Sequence, residues 1–295
     1  MGESSIRQGA QIPPYVSLLA GSFSGLMARF VTAPLDVVKI RMQLQGYNPN
    51  IRYTNSFATL SAIIKKEGTQ ALWKGNIPAE IMYIIYGATQ FTTYSTLNTL
   101  VSKVERDEGV QITPGLHSLM LGSIAGCVST TLSYPFDVLR TRLASNDATQ
   151  FKSLVGEISK IYDSNGVKGF FGGGLLSVNY IAIYTGLQFG TYTEVKDLTK
   201  DTKIEQFAGF ISGIFSKTIV YPMDLIRHRR QMSTVTTTAD MIKMIIKKDG
   251  VFGLYHGLTP ALLKAAPTTA VSFYCYEAAV NWLTKPSYLK ATLTA

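Results

Sequence analysis

From Tyr15 to Leu35 the chain runs apolar with one charge, Arg29, and the helical spacing continues through Lys39 to about Gln45. A membrane-crossing helix needs roughly 20 predominantly apolar residues, and this run is long enough. Gly21 and Gly25 lie one turn apart on one face, a device that lets membrane helices approach closely. A polar connection from Gly46 to Ser56 follows. Phe57 to Glu67 then carries apolar residues at the spacing of a short amphipathic helix, which stops at Gly68. Trp73-Lys74-Gly75 opens a second apolar helix that reaches about Leu100.

This long, short, long pattern recurs, and self-similarity of that kind decides an architecture. Pro34-Leu35-Asp36-Val37-Val38-Lys39 returns as Pro135-Phe136-Asp137-Val138-Leu139-Arg140 and as Pro222-Met223-Asp224-Leu225-Ile226-Arg227. Each copy ends an apolar run and is followed by a second base: Arg41, Arg142 and Arg229. The glycine pair returns as Gly122 with Gly126 and as Gly209 with Gly213. The opening of the second helix returns as Phe171-Gly172-Gly173 and Tyr255-His256-Gly257, ahead of helices ending near Leu198 and Leu283. The reading is an all-α membrane protein of three tandem repeats, at 14–103, 114–200 and 203–285, each with two spans and one short surface helix. The connections between repeats are the charged Val104 to Thr113 and the short Thr199 to Thr202. Six spans place both termini on one side.

Composition agrees with membrane embedding. Of 295 residues 46% are hydrophobic and 16% charged, and the mean hydropathy is positive. A net charge of +9 suits acidic headgroups or an anionic solute, and no basic run is dense enough for nucleic acid. Cys127 and Cys275 have no metal-ligand spacing and read as packing residues, with a disulfide the lesser alternative. Residues 1–11 lack the apolar core of a signal peptide and the basic character of a cleaved transit peptide, so any organelle address is internal.

Aligning the repeats on themselves locates candidate chemistry. The residue five before each proline is Arg29, Thr130 or Lys217, and the acid of the motif follows on the same face. On the second helices the most polar stripes are Ala79, Met82, Tyr86, Gln90; Ser177, Tyr180, Tyr184, Gln188; and Ala261, Lys264, Thr268, Ser272. Residues so spaced share one helical face, and on lipid-like helices that face turns inward. Arg29, Lys217 and Lys264 then lie at one level, with no acid on those stripes to neutralise them. An intramembrane charge costs about 2.5 to 3.5 kcal/mol on insertion scales, so such bases are functional by default. Three bases suit a diphosphate, and Tyr86, Tyr180 and Tyr184 can stack on an aromatic or cationic ring. Snorkelling or pairing with helix carbonyls is the competing reading for Arg29 and Lys217, and plain helix packing for the tyrosines.

These motifs resemble the mitochondrial carrier family, whose signature runs Pro-x-[Asp/Glu]-x-x-[Lys/Arg]-x-[Lys/Arg] and then, 20 to 30 residues on, [Asp/Glu]-Gly-x-x-x-x-aromatic-[Lys/Arg]-Gly. Repeat one fits with Glu67-Gly68 and Trp73-Lys74-Gly75. Repeat three fits with Asp249-Gly250, His256 standing for the base. Repeat two departs, Asn165 for the acid and Gly172 for the base. The resemblance covers about residues 14 to 285. It implies a three-fold pseudosymmetric bundle of six transmembrane helices around a central cavity in the mitochondrial inner membrane, with matrix surface helices, bound cardiolipin, no other cofactor, and a monomer.

It also implies a matrix gate of cyclic ion pairs, Asp36 with Arg140, Asp137 with Arg227 and Asp224 with Lys39, with Gln43 and Gln231 as braces and Ala144 at the third brace position. The prolines kink the odd helices and bring the pairs together. The family's cytoplasmic gate on the even helices is reduced here to Ser95, Asn98, Lys196 and Glu277, so the expected substrate-free state opens to the cytosol. The stretches 73–78, 86–91, 186–189 and 262–267 are similar to the fungal branch of the family that carries thiamine pyrophosphate, which implies that substrate, exchanged for nucleotides. The alternative is another phosphorylated solute, a nucleotide or coenzyme A. Against the adenine nucleotide branch, with its Arg-Arg-Arg-Met-Met-Met, this chain has Arg227-His228-Arg229-Arg230-Gln231-Met232. An enzyme would need a triad, a phosphate loop or a metal cluster, whereas His117, His228 and His256 lie far apart and off the stripes. A membrane adaptor would have no need of polar stripes.

Overall fold

The computed structural model describes residues 13–45, 55–108, 113–146, 153–200, 207–232 and 237–284. Much of the expected connections at 46–56, 104–113 and 199–202, and the N-terminal stretch 1–11, lies outside them. The described residues are helical, in the order α1 (Pro14–Gln43), α2 (Ser56–Glu67), α3 (Asn76–Glu108), α4 (Pro114–Ser145), α5 (Leu154–Asn165), α6 (Gly174–Leu198), α7 (Ala208–Met232), α8 (Thr238–Asp249), α9 (Leu258–Leu263) and α10 (Ala265–Leu283). Short 3-10 turns, Thr69–Trp73, Gly166–Phe171 and Val251–Tyr255, follow α2, α5 and α8.

α1, α4 and α7 each run unbroken through the motif proline, Pro34, Pro135 or Pro222. At 30 residues α1 rises about 45 Å, enough to cross a hydrocarbon core of about 30 Å. Among the described residues, three stretches are long and apolar enough to cross a membrane: 15–43, 119–145 and 154–198, the last taking in α5 and α6. Many of the large apolar side chains on the long helices face outward. Leu18 and Phe23 of α1, Leu132 of α4 and Phe215 of α7 are exposed, while Thr32, Ser129, Ser133 and Gln231 are buried. That inversion of a soluble protein is what lipid as solvent demands. These three buried hydroxyls are satisfied within their own helices: Thr32 donates to the Ala28 carbonyl at 2.8 Å, Ser129 to Ala125 and Ser133 to Ser129, both at 2.7 Å.

The short helices are set by local signals. Asn55 Oδ1 accepts from the Ala58 amide at 2.7 Å to cap α2, and Thr237 Oγ1 from the Asp240 amide at 3.2 Å to cap α8. Ile63, Ile161 and Ile245 bury the inner faces of α2, α5 and α8.

The chain forms two compact units. Among the described residues, one comprises 13–36 together with 260–284, and packs Val16 and Ala20 against Val280, Tyr276 and Leu283. The other, Val37–Thr259, holds the end of α1 against α2 and α4 through Val37, Ile40, Leu44, Ile63, Leu72 and Ala144. It holds a second cluster of Tyr134, Val138, Leu139 and Ile161.

Two expectations are corrected. The last apolar stretch, read as one helix, is two, α9 and α10, meeting at Lys264. Pro267 has no amide hydrogen and crowds the carbonyl of Leu263, which weakens the ladder there. The glycine pairs also do less than expected. A Cβ at Gly122 or Gly213 would meet nothing within 4 Å, and among these four glycines of α4 and α7 a tight neighbour occurs only at Gly126, where Ile181 Cγ2 would lie at 3.3 Å. Spacing small residues along a helix permits close approach without enforcing it.

Candidate functional site

Within the unit Val37–Thr259, Lys39 at the end of the first motif meets the third motif on α7, which in turn meets the second on α4. Asp224 is buried and receives Lys39 Nζ at 2.7 Å and Gln43 Nε2 at 3.3 Å, with Lys217 Nζ and Arg227 Nη2 each 3.5 Å away. Asp137, also buried, receives Gln231 Nε2 at 2.7 Å and faces Arg227 Nη2 at 3.6 Å. The cyclic pairs Asp224 with Lys39 and Asp137 with Arg227 are thus formed, and each aspartate carries a glutamine amide. Asp36 and Arg140 belong to different units. Asp36 is gripped by Lys264, whose Nζ lies 2.7 Å from both carboxylate oxygens, and Arg140 lies over the Tyr83 ring with Nη1 3.5 Å from its hydroxyl.

The tyrosine before the proline ties this layer to the turn opening the second helix. Tyr134 donates to the Gly172 carbonyl at 2.7 Å and receives Gln231 Nε2 at 3.3 Å. Tyr221 donates to the His256 carbonyl at 3.0 Å and receives Gln43 Nε2 at 3.0 Å. Repeat one has Ala33 there. At Gly75, with φ +80°, a Cβ would fall 2.7 Å from the Arg140 carbonyl oxygen. Gly257, at φ +86°, repeats the contact on the Lys39 carbonyl at 3.0 Å. Only glycine fits a left-handed turn pressed onto another helix's backbone.

The second bases form a cyclic ring of their own. Arg41 Nε donates to the Ala144 carbonyl at 2.7 Å, Arg142 Nε to Gln231 at 3.2 Å, and Arg229 Nε to Gln43 at 2.9 Å. The last carbonyls of a helix have no partner within it and sit at the negative end of its dipole, so each arginine satisfies and neutralises its neighbour's C-terminus. Arg41 also makes a two-pronged bond to Glu67 at 2.5 and 2.9 Å, and Lys74 Nζ reaches the same carboxylate at 2.6 Å. Burial pushes the Glu67 carboxyl up, but these two bases outweigh it and hold it below the usual carboxylate range. In repeat two, where Asn165 replaces the acid, Arg142 faces the buried Glu157 of α5 at 3.8 Å instead.

Of the candidate substrate residues, the structure brings Lys217 of α7 against Tyr180 and Tyr184 of one polar stripe. Tyr180 and Tyr184 stack with centroids 5.9 Å apart and planes 3° from parallel. Lys217 Nζ donates to the Tyr180 hydroxyl at 2.6 Å and stands 5.1 and 5.9 Å from the two ring centroids, and Arg227 lies 5.4 Å from the Tyr180 centroid. Met82 and Tyr180 are buried, and Tyr86, Gln90, Tyr184 and Gln188 are half-buried, beside exposed Ile84, Phe91, Ile183 and Phe189. In the other unit Arg29 is half-buried, one turn before buried Thr32.

The expectation that no acid neutralises these bases is corrected. Asp36 holds Lys264 and Asp224 lies 3.5 Å from Lys217. Asp224 lies two turns past Lys217 on the same face of α7 and Asp36 stands on α1 against Lys264, and a lysine stem of four carbons reaches each of them. On α3, α6 and α10 Ser95, Asn98, Lys196 and Glu277 are exposed. Lys196 Nζ lies 5.9 Å from the Tyr192 ring centroid, and the Ser95 carbonyl accepts from the Thr99 hydroxyl at 3.0 Å. Cys127 and Cys275 are free thiols.

Sequence reasoning missed Tyr83, Tyr134, Tyr221, Glu157 and His228. The two tyrosines before the proline had a legible signal, the same register in two repeats. Glu157, standing in for Asn165 from two turns earlier, had none.

A family model described as mitochondrial carrier protein matches residues 10–105, 113–203 and 204–287. The mitochondrial thiamine pyrophosphate carrier 1 of Meyerozyma guilliermondii is 42% identical over 289 residues, covering 95% of this chain and 98% of that protein. Proteins of the same name in Candida albicans and Saccharomyces cerevisiae are 39% identical over 293 residues and 35% over 313, covering 96% and 95% of this chain and 97% and 98% of theirs.

Proposed function

Since the chain belongs to the mitochondrial carrier family, we propose that it is a multi-pass carrier of the mitochondrial inner membrane that imports thiamine pyrophosphate in exchange for (deoxy)nucleotides. The observation that carries the substrate reading is Lys217 set against the stacked pair Tyr180 and Tyr184. A base beside a flat π surface binds a phosphate at one end and an aromatic cation at the other. Thiamine pyrophosphate is a diphosphate on a thiazolium. In the repeat register Arg29 is equivalent to Lys217 and Lys264 to Tyr180, and by that symmetry they share the phosphate. Met82, Tyr86, Gln90 and Gln188 complete the polar stripes. Similarity along nearly the whole chain to carriers named for this substrate supports the same reading.

We assign three repeats, at 14–103, 114–200 and 203–285, with six spans and three matrix surface helices. The pairs Asp137 with Arg227 and Asp224 with Lys39, braced by Gln231 and Gln43, act as the matrix gate of an alternating-access cycle. The family's cyclic order implies Asp36 and Arg140 as its third pair. Buried pairs suit a gate because desolvation offsets much of their attraction. The residues at the other gate, Ser95, Asn98, Lys196 and Glu277, make a weaker closure. Acidic lipid, cardiolipin in the family, is expected on the cleft lined by Trp73, Gly75, Asn76 and Leu154, at the N-terminus of α3. The protein acts as a monomer and does no covalent chemistry.

The test is uptake of labelled thiamine pyrophosphate into proteoliposomes preloaded with unlabelled deoxynucleotide. Uptake that requires the internal nucleotide supports the reading. Uptake of coenzyme A or nucleotide alone would move the protein to the second reading, a carrier of another phosphorylated solute.

A further inference from the structure

One titratable group in the motif network remains unused. His228 lies between the two bases of the third motif, where the other repeats carry Ile40 and Thr141, and it is 3% exposed. Its neighbours fix where its hydrogen sits. Gln231 Nε2 is 2.7 Å from the Asp137 carboxylate, which only accepts, so that end of the amide is the NH2. Its carbonyl oxygen therefore faces His228 Nδ1, at 3.0 Å, and Nδ1 must carry the hydrogen. Thr141 Oγ1 shares that hydrogen at 3.1 Å. On the other side Nε2 is 3.3 Å from Arg227 Nη2, a guanidinium with only hydrogens to offer, so Nε2 must be bare.

One state satisfies both contacts: a neutral ring protonated on Nδ1. A second proton would point at the Arg227 N–H and add a cation beside Arg227, with Lys39 nearby on α1. The acids that face the ring offset this little. Asp224, 3.8 Å from Nε2, already serves Lys39, Lys217 and Arg227, and Asp137 on α4 is held by Arg227 and Gln231.

We propose that His228 is a positioning residue of the matrix gate, that the gate closes only when its ring is neutral with the hydrogen on Nδ1, and that matrix protons act on the transport cycle through it. This rests on reading the pairs of Asp137 and Asp224 as that gate. Closed, the ring is sealed between α4 and α7. Open, it meets water and titrates near the ordinary histidine value of about 6.5. A ring protonated there must release its proton before Gln231 can be oriented onto Asp137 again. Acid on the matrix-facing side therefore slows closure, and acid on the other side does not reach the ring.

Two measurements test this. Protein labelled with 15N-histidine carries three imidazoles, and His117→Gln and His256→Gln assign the third by elimination. In the substrate-free purified protein the His228 ring is expected neutral with its hydrogen on Nδ1. A hydrogen on Nε2, or a charged ring at neutral pH, overturns the arrangement without any transport assay. The second uses thiamine pyrophosphate exchange in proteoliposomes of established orientation, with the pH of the two faces set independently. Lowering the matrix-facing pH from about 7.5 to about 5.5 should slow native exchange about tenfold, the change in neutral fraction of a group titrating near 6.5. His228→Asn, whose amide nitrogen replaces the Nδ1 donor without titrating, should show a flat profile. A flat native profile, or an equal slope in His228→Asn, overturns the proposal. Complete absence of native exchange would refute the substrate reading instead, and the imidazole measurement would then decide the role of His228 alone.

Discussion

Removing the amide of Gln231 should unlock the matrix gate without touching its charges. Gln231 is buried, donates to the Asp137 carboxylate at 2.7 Å and to the Tyr134 hydroxyl at 3.3 Å, and accepts from His228. A hydrogen bond to a charged group contributes about 1.5 to 3 kcal/mol, and a long neutral one less. Part of the loss is recovered as water enters the open state, so Gln231→Ala should cost the closed network about 2 kcal/mol. At about 1.4 kcal/mol per decade that is a shift of roughly thirtyfold toward the matrix-open form. The assay is alkylation of a cysteine placed at Thr130, which is buried midway along α4, in a background with Cys127 and Cys275 replaced by serine. With an impermeant reagent on the matrix side, Gln231→Ala should react tens of times faster than the parent. Gln231→Glu, which sets a second carboxylate against Asp137, should react faster still. Parent-like labelling in Gln231→Ala, alongside faster labelling in Asp137→Asn, would show that the amide does not hold the gate.

Other outcomes follow from the same contacts. Glu67 has a carboxyl held below its unfolded value by Arg41 and Lys74. Its contribution to stability is therefore whole above about pH 4.3 and is lost as pH falls through the lower folded value. The stability gap between the parent and Glu67→Gln in detergent should be constant from about pH 7 to 5 and shrink below about 4.3. A gap that widens on acidification contradicts this. Gly75→Ala forces a side chain into a left-handed backbone 2.7 Å from the Arg140 carbonyl, which should cost about 1 to 3 kcal/mol and lower the midpoint of thermal unfolding. An unchanged midpoint contradicts the close approach. Tyr180→Phe keeps the stacked surface but removes the 2.6 Å bond from Lys217, so the half-saturating substrate concentration should change about tenfold, with Gln90→Ala as a milder comparison.

Much of this was legible because the sequence repeats itself. Three copies of the Pro-x-Asp-x-x-base motif carried the family resemblance, the resemblance implied that Asp137 faces Arg227 and Asp224 faces Lys39, and these side chains lie 3.6 and 2.7 Å apart. The stripe through Tyr180 and Tyr184 needed only the helical period. What stayed hidden depends on the reach of side chains across helices. Lys264 was placed by register on a stripe without acids, yet its stem carries Nζ to Asp36. Glu157 replaces an acid missing at Asn165 from another turn of α5, a substitution that no linear signature contains. The break at Lys264 was written in Pro267 but masked by the surrounding apolar run.

The most direct test of the two-part substrate site is a competition series against labelled thiamine pyrophosphate exchange. Inorganic pyrophosphate, thiamine and unlabelled thiamine pyrophosphate would be compared in the parent, Lys217→Ala and Tyr184→Ala. The account predicts that both fragments compete weakly in the parent, that Lys217→Ala loses sensitivity to pyrophosphate while keeping that to thiamine, and that Tyr184→Ala does the reverse. Equal loss of both sensitivities in each variant, or unchanged competition in Lys217→Ala, would contradict a phosphate and a ring held by separate groups.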